Sequence, residues 1–270
     1  MPEGHVIHRL AGELNAAFAG RGVRVTSPQG RFAGAAELLD GRPLRGAEAF
    51  GKNLFLVFGE DAVVQIHLGL IGKLRWVGPG VVTNPDTVRL RIETEADAVE
   101  LRGPQTCALI GSVEMDAAVA ALGPDPLRPD ADPDRGWQRV HRSARSIASL
   151  LMDQRVAAGV GNIYRAEVLF RARLHPETPG NELSPRKWRE LWADLVELMP
   201  FGVRDGRIDT VRDEHSPEAT GREPRVDRHG GEVYVYRRAG LPCLVCGRAV
   251  SVREFEGRNL YWCGKCQRRR

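Results

Sequence analysis

The sequence predicts an α+β protein of two domains. A β-rich first half carries one early helix, and a helical second half ends in a metal-bound β-hairpin. Three observations predict this. Short β-like runs punctuated by Gly and Pro fill the chain up to about residue 115, a stretch rich in proline and aspartate interrupts it at 123–136, and two Cys-x2-Cys pairs stand sixteen residues apart near the C-terminus. At about 100–200 residues per domain, 270 residues suffice for two cores. A hydrophobic content of 42% with 27% charge is that of a globular chain. No apolar run approaches the ~20 residues that span a bilayer, and the first residues lack a basic-then-apolar leader. The expectation is a cytoplasmic protein without a membrane partner. The net charge of +4 comes mostly from arginine, with lysine only at Lys52, Lys73, Lys187 and Lys265. This permits a polyanionic partner without requiring one.

Each element has its own signal. Val6, Ile7, Leu10, Leu14 and Phe18 recur at helical spacing over His5–Phe18. Strands are expected at Asn53–Phe58, Ala62–Leu68, Lys73–Val77, Val88–Thr94 and Ala98–Arg102, in a sandwich or a barrel. The boundaries follow as 1–122 for the first domain and 123–136 for a linker. A helical domain over 137–231 and a zinc finger over 232–270 complete the chain. Ile147–Val156 and Ile163–Phe170 read as two helices. Ser184-Pro185 starts a third, capped by serine, whose Trp188, Leu191, Trp192, Leu195 and Leu198 form a core stripe. Residues 202–231, polar and charged, read as a mobile loop.

The chemistry lies at three places. Cys243, Cys246, Cys263 and Cys266 have the spacing of a tetrahedral zinc ribbon too small to fold without its metal, and one structural Zn²⁺ is the implied cofactor. Cys107 is left over as an idle thiol. The hairpin between the pairs carries Arg248, Arg253 and Arg258, and the chain ends Gln267-Arg268-Arg269-Arg270, a basic ribbon of the kind that touches nucleic acid. Between the two helices, Ala157-Ala158-Gly159-Val160-Gly161-Asn162 supplies a tight turn. Asn162 is expected to cap the second helix, next to backbone N–H groups suited to a phosphate. The chain begins Met1-Pro2-Glu3-Gly4. Removal of Met1 would leave a secondary amine beside a carboxylate, and a neutral amine is a nucleophile toward a carbonyl-like carbon.

With these pieces in order on one chain, the sequence resembles the formamidopyrimidine-DNA glycosylase and endonuclease VIII family over nearly its whole length. The markers read Met1-Pro2-Glu3-Gly4, Gly51-Lys52-Asn53-Leu54, Leu151-Met152-Asp153-Gln154 with Gly159-Val160-Gly161-Asn162-Ile163-Tyr164, and the four cysteines. The resemblance implies an N-terminal β-sandwich, a helix–two-turn–helix module with a zinc-ribbon hairpin, and a monomer that binds duplex DNA containing damaged bases or abasic sites. It implies excision of an oxidised base followed by strand cleavage. Pro2 takes the place of the Schiff-base nucleophile at C1′, Glu3 of the proton donor, and Lys52 of the donor and phosphate contact in β-elimination. Arg258, in Gly257-Arg258-Asn259-Leu260-Tyr261-Trp262-Cys263, takes that of the finger arginine that aids δ-elimination. Asn162 with Gly161 takes that of the phosphate-binding turn. His67-Leu68-Gly69-Leu70-Ile71-Gly72 resembles the segment that fills the void left by an extruded nucleotide, with Leu70 as wedge and His67 beside it.

Two departures tilt the resemblance toward the endonuclease VIII-like branch and oxidised pyrimidines. Leu101-Arg102-Gly103-Pro104-Gln105-Thr106-Cys107 stands where purine-preferring members carry an Asp-Pro-Arg-Arg-Phe-Gly-like segment, and His5 follows Gly4 where proline is usual. Tyr261-Trp262-Cys263 points the same way. An 8-oxoguanine or formamidopyrimidine enzyme, a catalytically silent DNA-binding paralogue, and a zinc-ribbon RNA-binding protein are the alternatives.

Overall fold

A computed structural model describes residues 2–82, 84–227 and 231–269. Met1, whose removal the nucleophile reading invokes, residues 228–230 of the expected loop, and Arg270 lie outside the described residues. The chain divides into two units between Ala121 and Leu122. Among the described residues no helix is long and apolar enough to cross a membrane.

The first unit opens with α1 (Gly4–Phe18), one residue longer than the periodicity predicts, followed by β1 (Arg24–Thr26) and α2 (Ala33–Leu39). A meander then runs through β2 (Gly46–Phe50), β3 (Asn53–Gly59) and β4 (Ala62–His67), after which β5 (Lys73–Val77) joins a second sheet. The chain continues through β6 (Val88–Glu93), β7 (Ala98–Arg102), β8 (Thr106–Ile110) and α3 (Ser112–Ala120). Two four-stranded antiparallel sheets result, ordered β2-β3-β4-β8 and β1-β6-β7-β5. They share one apolar core with α1, including Leu14, Phe18, Leu54, Leu56, Ile66, Ile92 and Leu101. This is the sandwich rather than the barrel. The Asn15 amide pins α1 to β2, accepting from the Ala47 N–H at 2.7 Å and donating to the Ala47 carbonyl at 2.8 Å. Strands β1, β2 and β8 carry weak sequence signals. β1 has three residues, β2 reads Gly-Ala-Glu-Ala-Phe, and β8 follows a Gly-Pro turn, so tertiary pairing decides them.

The second unit contains α4 (Pro133–Val140), α5 (Ile147–Met152), α6 (Asn162–Arg171), α7 (Pro185–Asp205), α8 (Pro217–Thr220), and the hairpin β9 (Ser251–Phe255) and β10 (Arg258–Trp262). The 123–136 segment, expected as a linker, is instead part of this unit. Asp125 is buried, its carboxylate accepts from the Leu127 N–H at 2.9 Å, the Gly123 N–H donates to the Gln154 carbonyl, and Pro133 begins α4. Proline suits the first turn of a helix as well as a linker, which is why composition alone misleads here. Helix α5 stops at Met152, four residues before the apolar pattern does. The Asp153 carboxylate accepts from the Arg155 N–H and guanidinium at 3.0 Å, and that local turn competes with further helix. Helix α7 behaves as expected, with Ser184 accepting from the Lys187 N–H at 3.2 Å and the Trp188–Leu198 stripe buried, but it continues through Pro200 to Asp205. The start of the expected 202–231 loop is therefore helical. Its later described residues include α8 and a salt bridge from Arg222 to Glu232.

Candidate active site and metal centre

In the first unit Glu3 is the residue immediately ahead of α1, and it is 1% exposed. The Val6 N–H donates to its carbonyl at 3.0 Å, so the backbone enters the helix directly behind Pro2. An almost wholly buried carboxylate is costly unless structure or chemistry uses it. Lys52 is buried as well, at 9% exposure. It sits in the two-residue turn Gly51-Lys52 that joins β2 to β3, with Phe50 paired to Asn53 and Gly51 at φ 58° supplying the left-handed conformation. Asn53 pairs in turn with His67 at the end of β4. This register brings Lys52 and His67 together. Burial lowers the His67 pKa and the Lys52 charge lowers it further, opposed by a hydrogen bond with Gln105, so the ring favours the neutral form.

Beyond His67 the chain leaves one sheet for the other through Leu68–Gly72. The Gly72 N–H closes this turn on the Leu68 carbonyl at 3.0 Å, and Leu70 projects from it at 66% exposure with Ile71 beside it. Sequence reasoning passed over Gln105, which sits in the segment read there only as a departure from the family. Its N–H donates to the His67 carbonyl, and its side chain lies so close to Gly69 that a Cβ there would sit 2.8 Å from the Gln105 Cβ. Gln105 therefore supports the turn that presents Leu70. Cys107 is inert, its thiol pushed up to about 12 by burial.

In the second unit the turn before α6 is stapled by Gln154. Its amide nitrogen donates to the Met152 and Val160 carbonyls at 3.0 Å, and its amide oxygen accepts from the Gly159 N–H at 3.0 Å. Gly159 has φ 86°, which explains the glycine there. Gly161, not Asn162, is the N-cap of α6. Asn162 is the first helical residue, and its side chain reaches the ribbon with one of its two amide N–H groups and Arg165 with its oxygen. It donates to the Asn259 carbonyl of β10 at 3.1 Å and accepts from Arg165. Arg165, on α6 and 1% exposed, also reaches the Asn259 carbonyl at 3.4 Å. Asn162 is thus tied to the residue next to Arg258. Arg258 opens β10 opposite Phe255, beyond a turn in which Glu256 and Gly257 have φ 50° and 69°, the conformation of a tight hairpin. The Glu256 carboxylate accepts from the buried Ser149 hydroxyl on α5, which anchors the hairpin tip. Arg253, on the same hairpin, is paired with Glu177 and lies over the Phe255 ring.

Behind these contacts Glu167 holds the ribbon to α6. Its buried carboxylate accepts from the N–H groups of Tyr234, Val235 and Tyr236 at 2.6, 2.9 and 2.8 Å and from the Thr210 hydroxyl at 2.6 Å. A lone glutamate on an otherwise apolar helix face was the available sequence clue. The four cysteine sulfurs lie within 4.8 Å of one another, with Sγ–Sγ distances of 3.9 Å for Cys243–Cys266 and 3.5 Å for Cys246–Cys263. Tetrahedral zinc with Zn–S near 2.3 Å places its sulfurs ~3.8 Å apart, whereas a disulfide needs about 2.05 Å. The donor set fits one structural zinc.

Comparison with known proteins agrees with both halves. The model of the formamidopyrimidine-DNA glycosylase N-terminal domain matches residues 1–107, that of its H2TH domain residues 122–213, and that of a zinc finger found in FPG and IleRS residues 240–269. Endonuclease 8 1 of Mycobacterium tuberculosis is 47% identical over 274 residues, covering 99% of this chain and 100% of that protein. The formamidopyrimidine-DNA glycosylase of Methylococcus capsulatus is 36% identical over 242 residues, 86% of this chain and 84% of its own length. Among solved structures, Lactococcus lactis Fpg bound to DNA containing N7-benzyl-Fapy-dG shares the fold, with a TM-score of 0.80 at 23% identity over 99% of this chain and 100% of that one. The chain belongs to the formamidopyrimidine-DNA glycosylase and endonuclease VIII family, on its endonuclease VIII-like side.

Proposed function

We propose that this chain, a DNA glycosylase with abasic-site lyase activity by its family, removes oxidised bases from duplex DNA, pyrimidines in preference to purines. It acts as a monomer in the cytoplasm and cuts the strand by β,δ-elimination. The observation that carries this reading is Glu3, a carboxylate buried directly behind Pro2 at the foot of α1. After loss of Met1, the Pro2 nitrogen attacks C1′ of the damaged nucleotide. The glycosidic bond breaks and the base departs. Glu3 gives a proton to the sugar ring oxygen, and the opened sugar stays joined to Pro2 as a charged iminium. That iminium is an electron sink, so a base, water included, takes a proton from C2′ to give an enamine, whose electron pair then breaks the C3′–O bond and expels the 3′ phosphate. A second elimination expels the 5′ phosphate.

Both departures develop negative charge, which cations aimed at the phosphates stabilise. Lys52 serves the first and Arg258 the second. Asn162 and Gly161 hold backbone phosphate at the turn before α6, while Leu70 fills the gap left in the duplex and His67 supports it. Zinc holds the ribbon together so that Arg258 is presented. It takes no part in the chemistry.

The test is borohydride trapping on abasic duplex DNA, with Pro2→Gly beside protein shown by mass to retain Met1. The expected result is a stable protein–DNA crosslink that weakens in Pro2→Gly and is lost when Met1 is retained. No crosslink from the unaltered protein would leave a silent DNA-binding paralogue. Undiminished crosslinking with Met1 retained would remove Pro2 from the role. Excision from a panel of defined lesions separates the pyrimidine reading from the 8-oxoguanine alternative.

A further inference from the structure

The second unit contains a cavity of about 980 Å³ that none of the chemistry above uses. It lies at the C-terminal end of α6, between the first turns of α7, the segment around Arg212, and Arg268-Arg269 near the end of the chain. Helix α6 has ten residues, about 15 Å at 1.5 Å per residue, and Asn162 stands at its other end. Gln267 fixes the last turn of the ribbon here by donating to the Leu174 carbonyl at 2.9 Å.

The walls carry seven Arg and Lys residues against the three acids Glu182, Glu190 and Asp194, and several of the cations are already paired, Arg186 with Glu190 and Arg269 with Glu177 among them. Arg171 is spent on Asp194 at 2.9 Å, and Lys187 on Glu190 and the Ala172 carbonyl. Arg173, Arg212 and Arg268 are exposed and have no acidic partner among the described residues. Arg173 is the most telling. Helix α6 ends in a paired turn in which the Leu174 N–H reaches the Leu169 carbonyl and the Arg173 N–H the Phe170 carbonyl, each at 2.9 Å. The residue at that position is left-handed, and Arg173 has φ 51°. Glycine fills such a position without strain. An arginine held there against its backbone preference, lining a cavity and with no acidic partner among the described residues, is an outlier that points to a ligand.

We infer that this cavity docks a short acidic peptide segment of a partner protein. Guanidinium groups pair with carboxylates in forked geometry, and three of them around one hollow suit a chain of aspartates or glutamates. On the function proposed above, the bound duplex belongs to the far end of α6, at Asn162.

The test uses the full-length zinc-loaded protein and a fluorescein-labelled hexaglutamate peptide, followed by anisotropy. Saturable binding that weakens with added salt is expected. Arg173→Gly and Arg212→Ala should each lower affinity roughly tenfold, the loss of one charge-assisted contact. Arg173→Gly removes the backbone strain, so it should melt no lower than the unaltered protein and retain borohydride trapping. Its loss of peptide affinity could not then be blamed on misfolding. Unlabelled duplex should not displace the peptide. Absence of saturable binding, full displacement by duplex, or unchanged affinity in both variants would each overturn the inference, the second by making the cavity part of the DNA surface.

Discussion

Removal of the Glu167 carboxylate tests whether the zinc ribbon is held to α6 as the structure indicates. In Glu167→Ala, three buried N–H groups, those of Tyr234, Val235 and Tyr236, lose their acceptor together, and the Thr210 hydroxyl keeps only the Glu232 carbonyl at 3.5 Å. A buried donor left unsatisfied costs about 1–3 kcal/mol. Three of them bound the loss at roughly 3–9 kcal/mol, and water entering the vacated space offsets part of it, so a loss of about 3–4 kcal/mol is expected. Glu167→Gln keeps one acceptor oxygen but turns an NH2 group toward N–H donors, and should lose about half as much. Urea unfolding followed by tryptophan fluorescence reads this unit, because Trp137, Trp188, Trp192 and Trp262 lie in it and only Trp76 lies in the other. The same variant should weaken DNA binding, since α6 carries Asn162 at one end and the ribbon carries Arg258. A shift under about 1 kcal/mol in Glu167→Ala would show that the 234–236 backbone finds other partners and that the carboxylate does not organise the ribbon.

Four further outcomes are expected. Glu3→Gln should lower base excision by about 10²–10⁴-fold yet spare cutting at preformed abasic sites, where the aldehyde is already open; excision within twofold of the unaltered protein would end that assignment. Arg258→Ala should shift products toward the β-eliminated 3′ end and reduce the salt slope of DNA binding by roughly one phosphate contact, while Arg253→Ala, already committed to Glu177, should leave strand ends unchanged; equal behaviour of the two would make Arg258 ordinary surface charge. Chelation or Cys263→Ser should unfold the ribbon and weaken DNA binding more than it disturbs the first unit, as zinc content, affinity and Trp76 fluorescence together would report. Burial holds the His5 pKa near 4 against ~6.5 when unfolded, so the folded state refuses a proton that the unfolded state takes. Stability of the first unit should be whole above pH ~6.5 and fall as the pH drops toward 4, and His5→Asn should flatten that slope in urea titrations at several pH values.

Sequence alone determined whatever depends on spacing along the chain. The zinc ligands follow from two close thiol pairs, α1 and α7 from their apolar periodicity, and β5 and β7 from β-like runs punctuated by Gly and Pro. Pro2, Glu3 and Lys52 could be singled out because residue type and order are themselves the resemblance to the family. Only the tertiary structure decided what depends on partners distant in sequence. Strands β1, β2 and β8 exist because neighbouring strands supply their hydrogen bonds, and nothing in Gly-Ala-Glu-Ala-Phe announces a strand. Asn162 reads locally as a helix cap, but its amide is claimed by a carbonyl 97 residues away, and Gly161 takes the cap position instead. Gln105 reads as part of a departure and turns out to support the turn that presents Leu70. A proline- and aspartate-rich stretch is a linker by composition and becomes packed structure because Asp125 finds a backbone donor and Pro133 opens a helix. Local propensity differs by only about 1 kcal/mol between residue types, whereas a buried polar group without its partner costs as much or more, so long-range partners override local preference wherever the two disagree.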